Sequence, residues 1–167
     1  WKDVDWNNSI LMFGCSFVFG LGVDDKDTAA YKIHESTFIR TINLGIPGGS
    51  PMAMWVNSTI LRKENITPKA VVYLWPFSQR VTVLRANKLI FSNGGYFEKD
   101  SLGISSDHHF VHWTEFLRYA VFNTTNLWQC PVLHYHVDRY TCRLIPQIKH
   151  IEPTFDTKRL FPDEARA

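Results

Sequence analysis

The sequence predicts a three-layer α/β/α domain built on a parallel sheet. Two apolar runs, residues 10–15 (ILMFGC) and 70–75 (AVVYLW), lack the alternation of half-exposed strands, which indicates strands buried on both faces. Helix signals lie between such runs, and strands that alternate with helices pair in parallel through right-handed crossovers. The 167 residues, 45% of them hydrophobic, fit one domain with a sizeable core.

Local signals define the elements of the first half of the chain. After the first strand comes a loop rich in Gly and Asp, and Asp27 and Thr28 can then cap a helix. The second strand is predicted over residues 38–44. Ser50 and Pro51 predict a helix to about residue 63, because serine caps free amides and proline fits the first helical position.

In the second half of the chain, one predicted segment departs from the alternation of strands and helices. Residues 80–95 alternate weakly, which indicates a hairpin or an irregular segment, and we place an insertion at residues 80–106 of a single domain. Apolar residues then recur at three- and four-residue spacing over residues 107–128, which predicts a long amphipathic helix. A further strand is expected over residues 131–137, and the tail after it has only short apolar pieces.

Composition excludes some classes of protein. The 18 basic and 16 acidic residues are interspersed, which argues against a nucleic-acid surface. No run approaches the ~18 apolar residues of a membrane helix, so a soluble protein without a membrane span is expected. Three widely spaced cysteines favour a reducing, cytoplasmic location over a disulfide framework. The chain begins with Trp1, so upstream residues can be missing and the location stays open.

Parallel sheets of this kind hold active sites at the carboxyl ends of their strands. Three loops occupy that edge: residues 14–27, 45–50 and 76–80. The first reads Gly-Cys-Ser-Phe from Gly14, so that Ser16 directly follows a buried strand. A nucleophile suits that position, because a tight turn exposes its hydroxyl beside backbone amides that can hold an oxyanion. The alternative is an ordinary serine in a tight turn.

This first loop resembles the first block of the SGNH (GDSL) hydrolases, Gly-Asp-Ser followed by Phe-x-x-Gly. Gly20 completes that pattern, while Cys15 replaces the usual Asp. The family also carries an Asn at the end of strand two and, five residues later, a Gly whose amide donates to the oxyanion. Asn43 and Gly48 have this spacing, although a strand-to-helix turn capped by Ser50 explains them as well. The resemblance implies a flavodoxin-like (SGNH hydrolase) sheet.

The two remaining blocks of the family are not recognisable. The third, Gly-x-Asn-Asp, supplies an oxyanion-hole Asn, and Ser78, Gln79 or Arg80 could donate in its place. The fourth, Asp-x-x-His, supplies the general base and is absent from the 167 residues. The final residues, 163–167, resemble the run-up to that block, so we expect the dyad to follow residue 167, with His150 as the fallback base.

The other histidines and the aromatic residues are weaker candidates. His134 and His136 share one face of a predicted strand, but no third ligand is spaced to complete a metal site. His108, His109 and His112 lack the Glu of a zinc-protease motif. Aromatic residues make up 14% of the chain, and three of them are expected near the cleft, where aromatic rings can stack on sugars. These three are Trp55, Trp75 and Phe77.

These observations predict a serine ester hydrolase that works through an acyl-enzyme on Ser16. The amides of Ser16 and Gly48 would hold the oxyanion, and no metal or organic cofactor is implied. The substrate class is a small-molecule or carbohydrate ester, such as an O-acetyl group. The competing hypotheses are a non-catalytic module of the same fold, which binds glycan or serves assembly, and an unrelated flavodoxin-like domain. The oligomeric state is not predicted.

Overall fold

The computed structural model describes residues 3–77, 80–85, 88–93 and 106–151. Its main sheet has five strands in the order β2-β1-β3-β6-β7, and every pair in it is parallel. The predicted α/β class with a parallel sheet is therefore confirmed. The strands are β1 (Ile10–Gly14), β2 (Thr41–Gly45), β3 (Ala70–Leu74), β6 (Val132–His136) and β7 (Ile148–His150).

Helices cover both faces of this sheet, which gives the three predicted layers. On one face, α3 and α4 pack over Leu11 and Phe13, whereas α1 and α2 pack over Ile10 and Met12 on the other. This division follows from the pleat, since successive side chains of a strand point to opposite faces. The helices are α1 (Ser16–Phe19), α2 (Ala29–Thr37), α3 (Pro51–Lys63), α4 (Ser106–Leu127) and α5 (Arg139–Leu144).

Both predicted helix starts in the first half are confirmed by their caps. Thr28 Oγ1 accepts a hydrogen bond from the Tyr31 amide at 3.2 Å, and α2 follows. Ser50 Oγ accepts from the Ala53 amide at 3.2 Å, with Pro51 at the first position of α3. Each cap satisfies an amide that has no acceptor within its own helix.

The second strand begins three residues later than predicted. Phe38 ends α2 in the left-handed conformation, with φ at 58°, and its amide donates to the His34 carbonyl at 2.8 Å. The apolar residue therefore belongs to a helix terminus, where its side chain is 90% exposed. Strand pairing starts only at Thr41, beside Ile10.

Two elements in the tail were missed by the sequence analysis. Asp138 caps α5, because its carboxylate accepts hydrogen bonds from the amides of Tyr140 and Thr141. The chain then returns to the sheet as the three-residue strand β7. Only Ile148 of that strand is buried, so it had no apolar run to reveal it.

The excursion after β3 contains the predicted hairpin. Strands β4 (Arg80–Arg85) and β5 (Lys88–Asn93) pair antiparallel in a sheet of their own. The extent of the insertion, to residue 106, stays a prediction, as does the single-domain assignment. Among the described residues, no helix combines the length and the apolar character that crossing a membrane requires.

Candidate functional site

Ser16 lies where the sequence predicts it, at the carboxyl end of the central part of the sheet. Gly14 ends β1, Cys15 is fully buried in an extended conformation, and Ser16 begins α1. The serine itself is partly buried. Gly20 ends this short helix at φ 88°, and its amide donates to the Ser16 carbonyl at 3.1 Å. Strand, turn and helix thus place the serine at the edge where ligands bind in such sheets.

The end of β2 lies directly against the helix that carries Ser16. A Cβ added to Gly45 would lie 2.2 Å from the Phe19 nitrogen and 2.7 Å from its Cα atom. These are backbone atoms that cannot rotate away, so only glycine allows this approach. Gly45 therefore sets the distance between β2 and α1.

The loop after β2 is joined to the loop after β1 by a backbone hydrogen bond. The Ile46 amide donates to the Gly14 carbonyl at 3.0 Å, and the Gly49 amide turns back to the Ile46 carbonyl at 2.8 Å. Gly48 lies within this turn at φ 74°. Ser16 lies two residues after Gly14, and Gly48 lies two residues after Ile46. The two predicted oxyanion donors are thus on adjoining loops.

The Gly48 amide takes no part in the hydrogen bonds between described residues. Gly48 is partly exposed, in a turn whose Ile46 amide is bonded to the Gly14 carbonyl. An amide in this position can donate to an anion that forms next to the serine.

Asn43 acts on the protein itself. Its Nδ2 donates to the Val18 carbonyl at 2.7 Å, and its Oδ1 accepts from the Gly45 amide at 2.9 Å. Val18 is a buried residue of α1. One side chain therefore connects β2 to the helix that begins at Ser16, in addition to the backbone contact at Gly45. The family resemblance identified Asn43 only as the residue five positions before Gly48 and predicted no contact of its side chain.

The third loop brings an aromatic residue to the same edge. The Trp75 amide extends the pairing of β3 with β6 by donating to the Tyr135 carbonyl at 2.9 Å. Phe77 follows, with its ring centroid 6.0 Å from that of Phe17 in an edge-on arrangement. Phe17 is the neighbour of Ser16, so the prediction that Phe77 lies near the cleft is supported.

The other two aromatic candidates pack against the core and against α4. Trp75 is 1% exposed and stacks on Tyr73 with ring centroids 5.0 Å apart, so it belongs to the core. Trp55 packs edge-on against Phe116 and Tyr119 of α4. The burial of Trp75 could have been predicted from the strand periodicity, because residues 71, 73 and 75 share one face of β3 and its extension.

Ser78 and Gln79 lie outside the described residues. Arg80 begins β4, and its side chain also lies outside them. Their predicted roles as replacements for the oxyanion-hole Asn stay predictions.

His134 is a buried, neutral histidine of the core. Its Nδ1 accepts from Trp75 Nε1 at 3.1 Å, and its Nε2 lies 2.8 Å from Thr125 Oγ1. Indole nitrogen can only donate, so the ring proton is on Nε2. Burial lowers the pKa of His134 to about 4.

His136 is held in the same way by backbone groups. Its Nδ1 accepts from the Asp138 amide at 2.8 Å, which leaves the proton on Nε2, 3.1 Å from the Pro76 carbonyl oxygen. Burial lowers the pKa of His136 as well. Both nitrogens of His134 and of His136 are thus engaged, so the pair does not form a metal site. In the described part of the chain, no group of three metal-ligating side chains is brought together.

His150, the fallback base, lies on the edge strand. Its Nε2 is 3.1 Å from the Val137 carbonyl oxygen, and its Cα is paired with that of His136. The sheet order puts three strand spacings, roughly 14 Å, between β7 and β1. A general base must reach the proton directly or through one water. This distance does not favour His150 as the base, and that role stays a prediction.

Comparisons with known proteins bear on the fold. The solved structure of AlinE4, an SGNH-hydrolase family esterase, matches at a TM-score of 0.51 and 15% identity, over 95% of this chain and 93% of that one. This chain has the SGNH-hydrolase fold. The resemblance inferred from the first two loops is confirmed at that level. No family model matches the chain, and no curated protein does.

Two further SGNH-type structures are similar to the chain. A mutant of the esterase AlinE4 gives a TM-score of 0.49 at 16% identity, over 84% of this chain and 66% of that one. A member of the lipolytic G-D-S-L family from Veillonella parvula DSM 2008 gives 0.47 at 14% identity, over 83% and 64%. These two matches cover about two thirds of the length of each solved chain, whereas the first AlinE4 match covers 93%.

Proposed function

We propose that this SGNH-fold chain is a serine ester hydrolase with Ser16 as its nucleophile. The observation that carries the proposal is the Gly14–Ile46 hydrogen bond, which joins the loop of Ser16 to the loop of Gly48. It supports a nucleophile and an oxyanion donor that face one reacting carbonyl.

The reaction would proceed in two displacements. Ser16 Oγ attacks the ester carbonyl carbon while a base takes its proton, and the carbonyl oxygen becomes an oxyanion held by the amides of Ser16 and Gly48. Collapse breaks the bond to the alcohol, which leaves with the proton from the base. Water then attacks the acyl-serine in the same manner and releases the carboxylic acid. Neither step requires a metal or an organic cofactor.

We do not place the base of this mechanism on one of the four histidines whose side chains the structure describes. Each of these rings is bonded to a group other than Ser16; the four are His34, His134, His136 and His150. The family resemblance assigns this role to an Asp-x-x-His near the end of the domain. It also calls for a third oxyanion donor, for which Ser78 and Arg80 are our candidates.

The proposed substrate is a small ester, with an O-acetyl group on a carbohydrate as the leading case. Its support is the aromatic pair beside the nucleophile, in which Phe77 is 38% exposed. An exposed aromatic edge at the rim suits the apolar face of a sugar ring.

The test is hydrolysis of a short-chain acetyl ester by protein expressed to its natural stop codon. We expect Ser16→Ala to reduce turnover to background and to abolish labelling by a phosphonate, which adds its mass to Ser16. Ser36→Ala is the matched control, since its hydroxyl donates to the Ile33 carbonyl at 3.0 Å on the exposed side of α2. Equal rates in Ser16→Ala and the unmodified protein would refute the proposal.

A second candidate is a non-catalytic module of the same fold that binds glycan. The observation that favours it is that the four described imidazoles are bonded to groups other than Ser16. Calorimetric titration with acetylated and deacetylated oligosaccharides distinguishes the two functions. Binding of both forms with no phosphonate labelling supports the module.

A further inference from the structure

His136 connects the carboxyl ends of two neighbouring strands. It ends β6, and its Nε2 proton is directed at the Pro76 carbonyl, 3.1 Å away in the turn that follows β3. Its Nδ1 accepts from the Asp138 amide at 2.8 Å. The ring is 1% exposed. Two backbone groups from different loops therefore fix the position of one imidazole.

The residue after the held carbonyl is Phe77. Its ring lies edge-on to His136, with centroids 5.9 Å apart, and edge-on to Phe17, with centroids 6.0 Å apart. Phe17 follows Ser16 in α1. A continuous set of contacts thus runs from the ring of His136 to the neighbour of the serine.

The backbone alone does not fix Phe77 in this way. The hydrogen bond from the Trp75 amide to the Tyr135 carbonyl is the last one between β3 and β6. Pro76 has no amide proton with which to continue the ladder. Past Trp75, the described bond that holds the turn to β6 is therefore the one from the His136 side chain.

We propose that His136 is a positioning residue that holds Phe77 against Phe17, and that Phe77 in turn is a specificity residue which contacts the apolar part of an ester bound at Ser16. The second half of this inference rests on the proposed function, and the first half does not. His136 itself touches no substrate.

Two substitutions of His136 can each keep one of the two hydrogen bonds of the ring and remove the other. Asparagine places its amide near the position of Nδ1 and can still accept from Asp138, but it is too short to reach Pro76. Glutamine reaches the position of Nε2 and can still donate to Pro76. His136→Gln should therefore preserve the position of Phe77, and His136→Asn should release it.

The first experiment is a double-mutant cycle on ester hydrolysis. We expect His136→Asn to raise KM for an aryl ester about fivefold, which corresponds to one neutral hydrogen bond, with little change in kcat. Phe77→Ala should raise KM by a similar factor, and the double variant should show no further increase, because both changes remove one contact. Additive effects on KM, or an effect confined to kcat, would overturn the specificity role.

The second experiment does not depend on activity. Proton NMR should show cross-peaks between the rings of Phe17 and Phe77 in the unmodified protein and in His136→Gln, and their loss in His136→Asn. Retention of these cross-peaks in a folded His136→Asn protein would overturn the positioning role. If the unmodified protein lacks esterase activity, the proposed function fails, and the NMR result still decides the role of His136.

Discussion

Asn43 Nδ2 donates a 2.7 Å hydrogen bond to the Val18 carbonyl oxygen, and so one side chain of β2 holds the helix that begins at Ser16. The same side chain accepts from the Gly45 amide through Oδ1. Ser16, the proposed nucleophile, is thus positioned from the neighbouring strand as well as from its own.

Replacing Asn43 by Asp should remove the hydrogen bond to Val18 and keep the one from Gly45. A carboxylate still accepts from the Gly45 amide but cannot donate to Val18, and its charge faces a carbonyl oxygen. Because the side chain is exposed, we expect a loss of only about 1 kcal/mol in the free energy of unfolding. The phosphonate labelling rate of Ser16 should fall by about fivefold, since a similar energy is lost from its positioning. Urea denaturation and mass spectrometry measure the two quantities.

Asn126→Asp is the control for this change. Asn126 also donates to a carbonyl, that of Phe122, but both residues belong to α4. Its replacement near a helix C-terminus lowers stability through the helix dipole and should leave the labelling rate unchanged. Equal labelling rates for the two variants would contradict the role assigned to Asn43.

Gly45→Ala should disturb the site more strongly. The added methyl would lie 2.2 Å from the Phe19 nitrogen, so either β2 or α1 must move. Overpacking of this kind costs about 1–3 kcal/mol, and we expect a loss in that range from urea denaturation. A variant with unchanged stability and an unchanged Ser16 labelling rate would show that the contact between β2 and α1 is looser than described.

The first two loops of the site could be predicted because their signals are local. Ser50 and Pro51 place the start of α3 correctly, and the strand run before Gly14 places Ser16. Parallel topology then puts the Ser16 and Gly48 loops side by side, as the bond from Ile46 shows. Sequence and elementary geometry were sufficient here.

Other parts of the site depend on contacts that are distant in sequence. The bond from Asn43 to Val18 spans 25 residues, and that from His136 to Pro76 spans 60. No periodicity encodes the direction of such a side chain. The short strand β7 was missed for a related reason, since pairing with β6 stabilises it and its own composition does not.

The core beneath the site should depend on the Tyr73 hydroxyl. It accepts from Trp128 Nε1 at 2.8 Å and donates to Ser58 Oγ at 2.8 Å, and Tyr73 is fully buried. Tyr73→Phe leaves the indole N–H without an acceptor, which costs about 1–3 kcal/mol. Thermal and urea unfolding should show this loss, whereas Tyr119→Phe, at a ring that is 53% exposed, should stay within about 0.5 kcal/mol. A smaller loss in Tyr73→Phe than in the control would contradict the hydrogen-bonded core described above.

His134 should make the stability of the protein depend on pH. Its pKa falls from 6.5 to about 4 on burial, so between these values the unfolded chain binds a proton that the folded chain does not. The stability that the neutral ring contributes is therefore fully present above about pH 6.5 and is lost as the pH falls towards 4. At a pH well below 4, the full pKa shift corresponds to a loss of about 3 kcal/mol in the free energy of unfolding.

The measurement is the free energy of unfolding in urea at about pH 7 and about pH 4.5. His136 also has a lowered pKa and contributes to the acid loss of every variant. His134→Gln, which does not titrate, should therefore lose about 2–3 kcal/mol less than the unmodified protein between the two pH values. His34→Gln, at an exposed position of α2, should follow the unmodified protein. If His134→Gln and His34→Gln lose equal stability on acidification, the His134 ring already accepts a proton in the folded state at moderate pH, and its hydrogen bonds to Trp75 and Thr125 are not those described.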